Sequence, residues 1–420
     1  VLFIFIGRWY GMLYPEIGEL MGATMGFIFG MYVDDLIGCG LGLYFFKSTL
    51  EPFGIKLKES FYISFDKKLI KEVLWYGGRV MPSGLSFYLV SFLITIMLTS
   101  WLYNYSTLIG LYFIANTLVG ALSITFPLTS PLSEAYNNGK KDLALYYIRA
   151  QFLWWGIISV GIFLIPILLF FPLILVRIGG EFAEASWMIF PLFIPAFILF
   201  PSNLSGIVCE ACDIPEQSTL MNFIEQGTRL ATYFFVLNPY LGIAALLGRE
   251  NVVLFWLLAE APGYIAKGIY GWIIVKKKLF PRRKLDIPFM QAFILPFLSI
   301  LPILPIVFLM IQIFNILFVV NQILALAIAV VFIVSMLYVL PAYIFMPLYG
   351  YLGAWDERTI EDFRKAAVIS GPSRVIITQL YKTSKFGYEH SPWKDKFRIP
   401  HEAADKQAHE LNVLRETAET

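Results

Sequence analysis

The 420 residues are 58% apolar and only 15% charged, and their mean hydropathy is +0.70. Lys and Arg number 32 against 30 Asp and Glu, a net charge of +2. Soluble domains are about 25% charged, so these figures exclude a soluble enzyme, a disordered chain and a nucleic-acid binder with a basic face. No GxxxxGK[ST] loop is present to cradle a nucleotide phosphate. The 3 cysteines cannot build a disulfide framework. What remains is an all-α polytopic membrane protein.

The chain opens at Val1 directly into apolar sequence, with no charged n-region and no cleavage site. The expectation is a start inside a membrane helix, in a sequence truncated at its N-terminus. A span needs roughly 20 helical residues. Nine complete spans are expected after a partial one at 1–10: 17–46, 76–99, 106–130, 146–172, 182–208, 216–237, 251–275, 287–313 and 320–346.

Cations set the predicted orientation. Lys47, Lys56, Lys58, Lys67, Lys68 and Lys71 fall in one connection, and Lys276, Lys277, Lys278, Arg282, Arg283 and Lys284 in another. The tail after 350 and the loop at Lys140 and Lys141 add more. The opposite loops, 100–105, 173–181, 238–250 and 314–319, carry only Arg177 and Arg249. The bias predicts a cytoplasmic C-terminus.

Pro15-Glu16-Ile17-Gly18 introduces the first complete span, and Pro239-Tyr240-Leu241-Gly242 the seventh. Both spans end in a Lys followed by a basic stretch. A six-helix period fits a two-bundle transporter; chance recurrence in a Gly-rich membrane protein is the plain alternative. The repeat predicts a first-bundle remnant at 1–46, a basic amphipathic linker at 47–75 and a six-helix bundle at 76–275. A basic loop with two further helices follows at 276–346, then a cytoplasmic helical tail at 347–420. In that tail one helix is expected from Asp356 to Gly371-Pro372. A second is expected after Pro400, with Ala403, Ala404, Ala408, Leu411 and Leu414 on one side. His390, His401 and His409 are expected in solvent.

Gly110-Leu111-Tyr112-Phe113-Ile114-Ala115, then Pro127 through Tyr136 with Ser133-Glu134, and Gly139-Lys140 resemble the polysaccharide-transporter (Wzx-like) branch of the MOP flippase superfamily. The run 60–75 leading into Gly77-Gly78-Arg79-Val80-Met81-Pro82 resembles that branch's seventh-helix entry. Gly353-Ala354-Trp355-Asp356-Glu357 and Ile369-Ser370-Gly371-Pro372 resemble an archaeal-type extension. The resemblance implies a MOP/MATE-like two-bundle fold. It also implies a flippase, not an enzyme, moving polyprenyl-(pyro)phosphate-linked oligosaccharide by alternating access. A drug/cation antiporter of the same superfamily and a membrane-embedded polysaccharide polymerase or ligase are the alternatives. The expected partners are the lipid-linked oligosaccharide, membrane lipids, H⁺ or Na⁺, and glycosyltransferases, with no nucleic acid and no cofactor.

A phosphorylated head crossing a low-dielectric slab needs cations in a polar cavity. Arg79, Arg149, Arg229 and Lys267 lie inside or at the ends of spans and are the candidate phosphate-holding residues. An intrahelical pair with Glu225, four residues back, is the structural alternative for Arg229. Asp34, Asp35, Glu225 and Glu260 are candidate ion-coupling acids, because a buried carboxylate resists ionisation and can trade a proton. Glu260 could instead neutralise Lys267, or Arg229 across helices. Cys209-Glu210-Ala211-Cys212 lacks a second pair and a nearby His, so no metal site is expected.

Overall fold

The computed structural model describes residues 2–14, 16, 18–51, 54–61, 66–123, 127–179 and 181–419. Pro15 and Ile17 of the proposed repeat, and 62–65 of the amphipathic run, lie outside them. The chain is 84% helical and has no strand among the described residues. Among the described residues seven helices are long and apolar enough to cross a membrane. This is the make-up of an all-α polytopic membrane protein.

The chain divides into two compact units, Val1–Leu74 and Trp75–Thr420. In the first, α1 (Leu2–Leu13) packs along α2 (Gly18–Leu50). Glycines make that approach feasible: a Cβ on Gly7 would stand 2.2 Å from the Gly22 carbonyl oxygen. The large side chains of α2 instead point outward, with Tyr32 66% and Leu36 72% exposed. Such a surface would be an aggregation hazard in water and is ordinary against lipid.

Apolar composition dictates the long elements α3 (Lys67–Trp101), of which the part from Trp75 belongs to the second unit, and, within that unit, α4 (Tyr105–Leu122), α5 (Lys141–Arg177) and α6 (Ala183–Ala211). The basic run from Lys67 is the first part of α3. α7 (Pro215–Leu237) has span length, with Pro215 in its first turn, where the missing N–H is harmless. Its polar residues keep it out of the apolar set. The span expected at 251–275 is broken into α8 (Val253–Leu258) and α9 (Ala261–Ile274). Pro262 accounts for the interruption: it lacks an N–H, and its ring crowds the preceding turn.

The loop expected at 314–319 is helical. It belongs to α10 (Ile303–Val320), and the turn is at Asn321. The Asn321 side chain accepts a bond from the Leu324 amide and so starts α11 (Gln322–Val334), whose course continues to Tyr351. The tail holds three helices where two were expected: α12 (Glu357–Ile369), α13 (Arg374–Glu389) and α14 (Glu402–Glu419). Asp356 opens α12 with a capping box. On α14, Ala404 and Leu411 are buried but Ala403 and Leu414 are exposed. His401, expected in solvent, is largely buried and faces Asp405 at 3.9 Å.

Two apolar cores organise the unit. One gathers Trp155, Phe200, Phe345, Tyr349 and Trp355 from α5, α6 and the chain's last third. The other gathers Val90, Leu111, Leu192, Trp256 and Leu257 from α3, α4, α6 and α8.

Candidate functional site

α7 packs against α6 and α9, and its polar residues meet theirs. Lys267 of α9 donates from Nζ to Glu225 Oε2 of α7 at 2.6 Å and to Asn203 Oδ1 of α6 at 3.0 Å. Gln226 Nε2 donates to Glu225 Oε1 at 3.1 Å, and Arg229 Nη1 donates to Gln226 Oε1 at 3.2 Å. Arg229 Nε stands 2.6 Å from Glu260 Oε2. The Tyr233 hydroxyl donates to Glu260 Oε1 at 2.8 Å. Polar contacts therefore run unbroken from Asn203 through Lys267, Glu225, Gln226, Arg229 and Glu260 to Tyr233.

Lys267, Glu225 and Glu260 are each less than a tenth exposed. In such a setting an unpaired charge is costly, and pairing is what makes these residues tolerable. The Arg229–Glu260 contact matches charge without a directional bond, because neither Nε nor Oε2 makes a well-angled hydrogen bond. The Arg229 guanidinium also lies over the Phe87 and Tyr233 rings, at 5.7 and 5.9 Å, positions where the ring faces attract cations. Glu260 itself occupies the N-cap position of α9. Its side chain makes no capping bond there and turns to Arg229 and Tyr233 of α7 instead.

A polar cleft of about 290 Å³ adjoins Lys267 and is lined also by Asn203, Glu210, Ser218 and Asn222. Ser218 Oγ donates to Glu210 Oε1 at 2.7 Å, and Asn222 Nδ2 donates to Ser83 Oγ of α3 at 2.6 Å. Lys267 thus touches the charge network on one side and the cleft on the other.

No protein-family model, curated protein or solved structure matches this chain. The reading of the site therefore rests on its chemistry.

Of the residues proposed from the sequence, the structure gathers Glu225, Arg229, Glu260 and Lys267. Arg229 does not pair with Glu225 on its own helix; it pairs across to Glu260, and Glu225 pairs with Lys267. Arg79 lies apart on α3, 3.6 Å from Glu216 Oε2, with its guanidinium over Trp75 and Tyr76. Arg149 is placed elsewhere. It is buried, and its nitrogens donate to the carbonyls of Leu285, Pro400 and Lys284. Those bonds tie the basic loop and the tail to α5, which leaves Arg149 a fastening role in this arrangement. Asp34 and Asp35 are exposed on the uninterrupted α2. The interruption at Glu260 has no counterpart there.

Asn203, Gln226 and Tyr233 escaped notice because neutral polar side chains carry no signal of their own in a span. Spacing offered one clue: Gln226 sits three residues before Arg229. Among the described residues no group of three or more His, Cys, Asp or Glu could hold a metal ion. Cys209 and Cys212 are free and buried, and burial pushes the Cys212 thiol up to about 12, far from a metal-ready thiolate.

Proposed function

We propose that this protein is a membrane transporter that moves polyprenyl-(pyro)phosphate-linked oligosaccharide by alternating access, with an ion gradient coupled to the swap of charges in the α6–α7–α9 site. The supporting observation is that Lys267 bridges a buried charge network and an adjoining polar cleft. A phosphate entering the cleft would compete with the Glu225 carboxylate for the Lys267 ammonium. The swap of partners at Lys267, from the Glu225 carboxylate to the phosphate and back, is the step to which an ion gradient would be coupled.

The broken helix at Glu260 fits this reading. Irregular backbone at membrane depth is tolerated where protein or a wet cavity covers it, and transporters place substrate and ion sites at such breaks. The reading carries with it the two-bundle fold, the cell membrane, a cytoplasmic C-terminus and glycosyltransferases as neighbours in the same process.

A drug/cation antiporter is the second reading, favoured by the two carboxylates and the ring faces of Phe87 and Tyr233 around the site. Purified protein in proteoliposomes separates the two. The flippase reading expects transbilayer movement of a fluorescent polyprenyl-pyrophosphate sugar and no accumulation of a lipophilic cationic dye. Dye exchange against protons without sugar movement would replace the first reading with the second.

A further inference from the structure

The tail helices α12 and α13 form a hairpin held to two spans. Asp362 Oδ2 accepts from the Tyr146 hydroxyl of α5 at 2.5 Å, and Phe363 meets Trp154 of α5 at 5.1 Å between ring centroids. α13 packs on the end of the last span, Met346–Tyr351. There a Cβ on Gly387 would fall 2.0 Å from the Pro347 carbonyl oxygen. Only glycine permits so close a clasp. The hairpin is thus fixed to segments that continue into the apolar layer.

Its tip is unlike the rest of it. Val368, Ile369, Val375 and Ile376 are 52%, 82%, 79% and 47% exposed. The hairpin 357–389 carries Arg358, Arg364, Lys365, Arg374, Lys382 and Lys385 against Glu357, Glu361, Asp362 and Glu389; Glu361 pairs with Arg364 and Glu389 with Lys385, which leaves Arg374 as the cation nearest the tip. Beside it an apolar groove of about 490 Å³ is lined by Leu128, Pro131, Trp154, Ile158, Phe363 and Ile377. That groove joins the tail to the surface of α5.

We propose that the α12–α13 hairpin is an interfacial anchor whose aliphatic tip sits at the boundary between lipid headgroups and acyl chains. Two features select a bilayer as the occupant. The apolar surface is continuous with that of a span through the shared groove. The hairpin is net basic, and Arg374 stands within the tip itself, where a basic residue bordering a buried apolar face suits anionic headgroups. The hairpin would fix the tail flat against the membrane, whatever the transported substrate is.

The test uses the full chain carrying Cys39→Ser, with the buried Cys209 and Cys212 retained. Ile369→Cys, Val375→Cys and, as the control on the exposed polar side of α13, Lys382→Cys are each labelled with bimane. The protein is reconstituted in vesicles of phosphatidylcholine and phosphatidylglycerol. Lipids bearing an acyl-chain nitroxide should quench positions 369 and 375 at least about twofold more than 382, and aqueous iodide should show the reverse order. Equal access of iodide to all three positions without lipid quenching would overturn the anchor. Protection of 369 and 375 from both quenchers would also overturn it, and would assign the tip to a protein partner or a second copy.

Discussion

Arg229 of α7 stands 2.6 Å from Glu260, which lies at the break between α8 and α9. Glu225, the acid that shares a helix with Arg229, is turned to Lys267. The two ion pairs therefore link α7 twice to one broken helix, and Gln226 joins them. This arrangement matches two cations with two carboxylates, and of the four only Lys267 also lines the cleft.

Removing one member of a pair should be far worse than removing both. Glu260→Gln strands the Arg229 charge, and stranding a buried charge destabilises by about 3 kcal/mol or more. Glu260→Gln combined with Arg229→Gln should recover most of that loss. Thermal unfolding in detergent checks the order of the three midpoints; additive losses would mean that the pair is not coupled.

The tail should loosen when Asp356 is shortened. Its Oδ1 accepts from the Thr359 amide at 2.8 Å and its Oδ2 from the Ile399 amide at 2.9 Å, so it caps α12 and also pins the strand of chain before α14. Asp356→Ala loses the cap and leaves buried donors unmet, a change of about 2 kcal/mol. Hydrogen exchange should then quicken in α12 and around Ile399 and stay unchanged in α7.

Acid should release α14. Lys140 pairs with Glu410 and holds its carboxyl below the usual glutamate range. A depressed carboxylate pKa contributes stability that is present above the unfolded value of about 4.3 and lost as pH falls through the folded value. Cleavage in 402–419 by an acid-active protease should rise as pH drops through that window, and Glu410→Gln should show the raised cleavage at higher pH.

Three long spans were legible from composition alone, because 146–172 and 182–208 are nearly free of charge and 76–99 carries only Arg79. The intramembrane charges were legible too, since an ionisable residue in a span stands out against its neighbours. Their pairing was not. The i,i+4 spacing of Glu225 and Arg229 pointed to an intrahelical pair, but two cross-helix partners at shorter range win once α9 packs on α7. The break at Glu260 follows from Pro262, yet many membrane helices carry proline without breaking. α13 was hidden by Gly371-Pro372, which ends one helix and does not prevent another from starting. Proline is well placed ahead of a helix, and α13 begins at Arg374. The turn at Asn321 was misplaced because 314–319 is apolar on both sides and only the cap marks the boundary.

In the proposed function, Lys267 takes the substrate phosphate when Glu225 lets it go. Lys267→Met with Glu225→Met tests it most directly, because replacing a buried pair with apolar residues of similar size is nearly neutral for folding. With folding intact by thermal unfolding, movement of labelled polyprenyl-pyrophosphate sugar in proteoliposomes should fall by at least about tenfold, the effect of roughly 1.4 kcal/mol in binding. An unchanged rate, with its pH dependence intact, would contradict the account.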